Sequence, residues 1–164
     1  MRFKPQILLL GFTAFALAAP VASQKRDDQI SSRSVELQKA GEAHFSAGRL
    51  TEATDSLEAA LAVDPRNRSA FVDLARVAHK QKLFGKAIRL SNKALLLNPN
   101  DLNALSVQGE AMVELGATGR AQTNLQKLKT LCPQGCPQLS ALSSALSRGP
   151  AVASAKPAAT SKTN

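Results

Sequence analysis

Three prolines set the frame of this 164-residue chain: Pro65, Pro99 and Pro133 stand 34 residues apart. The same shift superposes Ala53, Ala87 and Ala121, then Gly41, Ala75 and Gly109, then Leu37, Phe71 and Leu105. Val63, Leu97 and Leu131 form a fifth column, each two residues before its proline. A fixed period of this length marks a repeat array, in which a unit buries its apolar side only by stacking on its neighbour. The small residues in two of the columns let two antiparallel helices approach closely, and apolar residues fill the remaining space. Each proline lacks an N–H and has a fixed φ, so it ends the second helix of its unit and redirects the chain. The pattern predicts helices over about 33–47, 51–63, 68–81, 85–97, 102–115, 119–131 and 137–147. Thr51, Gly85 and Gly119 are expected to cap the second helix of each unit.

These columns resemble the tetratricopeptide repeat family, whose units are 34-residue helical hairpins with an apolar or aromatic residue, a small residue, an alanine and a closing proline. The units run 34–67, 68–101 and 102–135 and cover 102 of the 164 residues. The resemblance implies an all-α fold, a right-handed α-solenoid of three hairpins. Residues 136–147 are expected to form a C-terminal capping helix, with Leu139, Leu142 and Leu146 at i, i+3 and i+7. There are departures from the family pattern. Leu37 and Leu105 replace bulky aromatics, and the tyrosine-like core column reads His44, Ala78 and Met112. Ser91 falls where Leu57 and Leu125 pack, and Leu128 replaces the small residue seen at Ala60 and Ala94. The third unit is the least regular, as a terminal repeat is expected to be.

In this family the first helices make the inner wall of a curved stack. By spacing, that wall carries Lys39, Glu42 and Phe45 from unit one, and Val72, Asp73, Arg76, His79 and Lys80 from unit two. Unit three adds Asn103, Ser106, Glu110 and Val113. Such a groove suits an extended peptide or a helix of another protein; the alternative is a solvated face, with the partner docking elsewhere. Family members that clamp a C-terminal carboxylate use Lys and Asn side chains. Gln38 and Glu42 stand where that set is needed, so the clamp is not expected here.

The two ends are of different character. Arg2 and Lys4 precede an apolar run from Ile7 to Ala19, and Val21, Ala22 and Ser23 supply small residues at its exit. This is the three-part pattern of a secretory signal peptide over residues 1–23, too short to span a bilayer; an uncleaved anchor is the alternative. The chain is therefore expected in the periplasm or outside the cell. Residues 24–33 make a polar lead-in. Residues 148–164 make a basic tail too poor in apolar residues to order itself, expected to be disordered.

Lys and Arg number 21 against 12 Asp and Glu, a formal net charge of +9, unevenly spread. Unit one carries -3, unit two +5 and unit three +1. Arg76, Lys80, Lys82, Lys86, Arg89 and Lys93 form a basic belt suited to an acidic partner or, less readily, an anionic membrane surface. Export and the scarcity of aromatic residues argue against nucleic acid. Self-association through an exposed end of the stack is a further possibility.

The only cysteines, Cys132 and Cys136, lie in Leu-Cys-Pro-Gln-Gly-Cys-Pro at the joint between unit three and the cap. In an exported chain they are expected to form a disulfide. A role in an envelope redox or assembly system is the alternative, although the redox spacing is C-x-x-C and this one is C-x-x-x-C. His44 and His79 are too poorly placed to share a metal. No catalytic signature occurs, and no cofactor is implied. Asn67-Arg68-Ser69 matches an N-glycosylation acceptor. The sequence thus predicts a non-catalytic protein-interaction module.

Overall fold

The computed structural model describes residues 29–150. The expected signal peptide, the first half of the lead-in and the tail beyond Pro150 lie outside the described residues. Within them, seven α-helices follow one another without a strand: α1 (Ser32–Ser46), α2 (Leu50–Val63), α3 (Arg68–Lys80), α4 (Phe84–Leu97), α5 (Leu102–Glu114), α6 (Thr118–Leu131) and α7 (Pro137–Arg148). Consecutive pairs α1/α2, α3/α4 and α5/α6 pack as hairpins; α3 rests on α2, α5 rests on α4, and α7 covers α5 and α6. This is the all-α repeat solenoid that the 34-residue period dictates.

The small-residue columns do what their size requires. Ala53, Ala87 and Ala121 are completely buried. A Cβ on Gly41 would lie 2.5 Å from Leu57 Cγ, and one on Gly109 would lie 2.6 Å from Leu142 Cδ2. The two glycines share a column but admit different neighbours: Gly41 receives a leucine of its own hairpin, whereas Gly109 receives one from the cap. Leu139, Leu142 and Leu146 join Leu105, Met112, Val113 and Leu128 in one cluster. Burying such side chains stabilises by about 1.5–3 kcal/mol each.

Each hairpin turns through a left-handed residue, Gly48 (φ 75°), Lys82 (φ 62°) and Gly116 (φ 74°), again 34 residues apart. The N–H groups of Arg49, Leu83 and Ala117 then reach back to the carbonyls of His44, Ala78 and Met112 at 2.8–2.9 Å. This closure satisfies the carbonyls at the end of the first helix and leads the chain straight into the second. It corrects the expected caps: Thr51, Gly85 and Gly119 lie inside α2, α4 and α6. The flanking positions are held by Arg49, Leu83 and Ala117, none with a side-chain cap.

The joints between units are capped instead. Asn67 Oδ1 accepts from Ala70 N at 3.1 Å at the start of α3, and Asp101 Oδ1 from Ala104 N at 2.8 Å at the start of α5. Both side chains also reach back one unit. Asn67 Nδ2 donates to Ser34 Oγ at 2.9 Å, and Asp101 pairs with Arg68. Ser34 and Arg68 are the first residues of units one and two, so the same contact recurs with different chemistry. At the third joint the column reads Gly135 (φ 90°). There Cys132 and Cys136 are disulfide-bonded, with Cα atoms 6.0 Å apart.

Candidate partner-binding groove

The first helices α1, α3 and α5, together with α7, enclose an open groove of about 420 Å³. Nine of the sequence-predicted residues line it: Phe45, Val72, Asp73, Arg76, His79, Lys80, Asn103, Ser106 and Glu110. Glu42 lines an adjoining recess of about 210 Å³ with Gln38, Arg68, Ser69 and Asp101. Lys39 stands exposed on α1, outside both. Val113 is not on the wall: it is fully buried, because α7 lies over the end of α5 and draws that column into the core. Val107, Pro137, Gln138 and Ala141 complete the lining. The α7 residues carry no signal in the repeat register, because the capping helix lies outside the 34-residue columns.

The groove's polar groups are largely held by one another. Arg76 lies with its guanidinium carbon 4.8 Å from the Phe45 ring centroid and its Nη1 3.2 Å from Asp73 Oδ1. The contact couples a cation–π interaction to an ion pair. Gln38 Nε2 donates to the other Asp73 oxygen at 2.5 Å. Burial pushes the Asp73 carboxyl above its ordinary range, opposed by the Gln38 amide and Arg76. On α5, the Ser106 hydroxyl is 2.7 Å from Glu110 Oε1 and 3.1 Å from the Gln138 carbonyl. Gln138 Nε2 donates to Asn103 Oδ1 at 2.7 Å and ties α7 to the wall. His79 packs edge-on to Phe84, with centroids 5.4 Å apart, and its buried Nε2 has no hydrogen-bond partner among the described residues. His44 is not a core residue: it is half-buried, and its Nδ1 accepts from Arg49 Nε at 3.1 Å. The arrangement presents a prepositioned guanidinium, an exposed ammonium at Lys80, amides and an apolar floor, which is equipment for holding a polypeptide.

Two further features lie off the groove. The disulfide sits at the joint before α7. Asn67 is buried, with its amide spent on Ser34, so the sequon's acceptor nitrogen is enclosed in the folded protein. Among the described residues no helix is long and apolar enough to cross a membrane, and no cluster of His, Cys, Asp or Glu could hold a metal ion.

The fold is an all-α solenoid of the tetratricopeptide-repeat kind. Residues 44–111 match the family model described as "Tetratricopeptide repeat". No curated protein matches the sequence. Among solved structures, the chain is similar to the first TPR of Spaghetti (RPAP3) bound to the HSP90 peptide SRMEEVD. The TM-score is 0.64 at 26% identity, over 71% of this chain and 95% of that one. It is also similar to the Arabidopsis OM64 TPR domain, with TM-score 0.65, 18% identity and coverage of 71% and 95%. The TPR2B domain of yeast Sti1, in a complex with pHsp70, gives 0.65 at 19% identity over 72% and 98%. The last two likenesses speak to the fold.

Proposed function

We propose that the protein is an exported adapter that holds a peptide or helical segment of a partner protein in the groove between α1, α3, α5 and α7. The observation that carries this reading is the groove itself. It brings together residues of four helices around an apolar floor of Phe45 and Val72, with Arg76 fixed in place by Asp73 and Phe45. The RPAP3 domain, whose structure holds an acidic HSP90 peptide, supports a peptide as the ligand class. The end group differs, however. Gln38 is engaged with Asp73, and Glu42 lines the same recess. A free C-terminal carboxylate would meet two acidic side chains there, so an internal segment fits better. Acidic residues of that segment would face Arg76 and Lys80.

Support for export comes from the three-part pattern of residues 1–23, which lie outside the described residues, and from the paired cysteines. A photo-crosslinking side chain at Asn103 in the groove should capture one discrete partner in the cell envelope. The same group at Ala62, exposed on α2, should not. Lys80→Glu should reduce the Asn103 adduct; equal capture at both sites, or capture indifferent to Lys80→Glu, removes the groove as the binding site.

A further inference from the structure

The two long edges of the solenoid carry very different charge. One edge holds the tips of the three hairpins; the other holds the proline joints. α7 starts beside the start of α5, through Gln138 and Asn103, and Leu142 reaches Gly109. It therefore runs parallel to α5 and ends at the tip edge. Across the last turn of each first helix, the hairpin turn and the first turn of each second helix, that edge carries Arg49, Lys80, Lys82, Lys86 and Arg120. Arg148 at the end of α7 is a sixth cation, against only Glu52 and Glu114. Among the described residues, Lys86 is ion-paired with Glu58 at 3.4 Å and Arg49 donates to His44, while no ion pair within them engages Lys80, Lys82, Arg120 or Arg148. On the joint edge the cations are mostly committed: Arg33 to Glu36, Arg66 to Asp64 and Arg68 to Asp101. Free positive charge is thus concentrated at the hairpin tips.

Two more observations fall on the same edge. Leu83 and Leu115 stand at the tips, 49% and 57% exposed; the joint edge also exposes Val63, Leu96 and Leu97, so it is the pairing of such leucines with unpaired cations that distinguishes the tips. Lys82 holds the left-handed turn position that is glycine in the other two hairpins, where glycine is the unstrained choice. A lysine kept in a backbone conformation that disfavours side chains points to a use for that side chain.

We propose that the hairpin-tip edge docks on an anionic lipid bilayer, with Lys82, Arg120 and Arg148 against headgroup phosphates and Leu83 and Leu115 entering the interfacial region. Basic side chains flanking isolated exposed leucines are what such a surface binds. Lys82, Leu83 and Leu115 project from the rim and line neither the groove nor its recess, a placement that suits a flat surface better than a threaded peptide. Nucleic acid is disfavoured because Phe45 and Phe84 are half-buried against Arg76 and His79, leaving no exposed ring at the tips for base stacking. Beyond Glu114 the sequence has no acidic residue up to Arg148 at the end of α7. The inference is independent of the groove. A domain seated this way keeps its concave wall open to the side.

The test uses the chain as purified from its host, with its N-terminus fixed by mass spectrometry. Co-sedimentation is measured with phosphatidylcholine vesicles, with and without about 30 mol% phosphatidylglycerol. Binding should favour the anionic vesicles and weaken with salt. Lys82→Gly should lower that partitioning about fivefold, with a melting temperature equal to or above wild type and unchanged crosslinking at Asn103. Should Lys82→Gly instead melt lower, the Arg120→Gln/Arg148→Gln pair leaves the left-handed turn positions intact and should cost about twentyfold. Equal binding to neutral vesicles, partitioning unmoved by these substitutions, or tighter salt-matched binding to single-stranded RNA than to anionic vesicles would each overturn the proposal.

Discussion

The first two joints of the stack and the third solve one problem in different ways. Between units one and two, and between two and three, a capping side chain satisfies the first turn of the new helix and reaches back to the opening residue of the previous unit. Asn67 reaches Ser34 and Asp101 reaches Arg68. At the third joint that column offers Gly135, and the previous unit opens with Leu102, so neither half of the contact exists. A covalent, an apolar and an amide contact replace it: the Cys132–Cys136 bridge, Leu142 seated on Gly109, and Gln138 hydrogen-bonded to Asn103. The lesson is that a repeat period fixes where a joint falls while leaving its chemistry free.

The largest expected effect tests the apolar part of the third joint. Leu142→Ala should cost about 2–5 kcal/mol in denaturant unfolding, with amide exchange accelerating first in α7. Equal acceleration in α1 and α2 would mean that the stack melts as one body and the joints do not differ. Next come the two glycines. Gly41→Ala and Gly109→Ala should each cost about 1–3 kcal/mol through overpacking. Only the Gly109 change should be relieved by Leu142→Ala, and a double-mutant cycle reads that coupling directly. For the caps, Asn67→Ala should lose about 1–2 kcal/mol. Reducing the disulfide should cost at most about 2 kcal/mol because its loop is short, and should loosen α7 without touching the start of α3.

Much of this architecture is legible in the sequence. Proline spacing placed the helices to within one or two residues, since a missing N–H and a fixed φ act locally. The groove residues from α3 and α5 followed from the same register. What could not be read depended on tertiary neighbours. Val113 shares the column of Phe45 and His79, yet α7 buries it. The caps expected at Thr51, Gly85 and Gly119 are absent because backbone closure through Gly48, Lys82 and Gly116 removes the need for one. Asn67 and Asp101 did leave a signal, a side chain favoured at helix starts repeated at one period, although Asn67 also sits in an apparent glycosylation motif.

The smallest expected effect sharpens the contrast between a carboxylate at a joint and one in the groove. Arg66, together with the Ser31 and Arg66 backbone N–H groups, holds Asp64 well below the usual carboxylate range. Its contribution is therefore complete above the unfolded value of about 3.9 and is lost as pH falls through the depressed native value. Asp73 has the opposite sign. Burial raises its native value, so stability declines as pH climbs from about 3.9 through that value. Thermal melts across pH should show Asp64→Asn flattening the acid limb and Asp73→Asn flattening the decline above it. Identical profiles for the two variants would refute the assignment.

The enclosure of Asn67 carries a consequence for biogenesis. In any compartment that attaches sugars to such sequons, transferase and folding joint would compete for one nitrogen, and only a chain whose first two hairpins had not yet closed could be modified. A glycan there would record slow assembly, and its absence would record that helix α3 had docked in time.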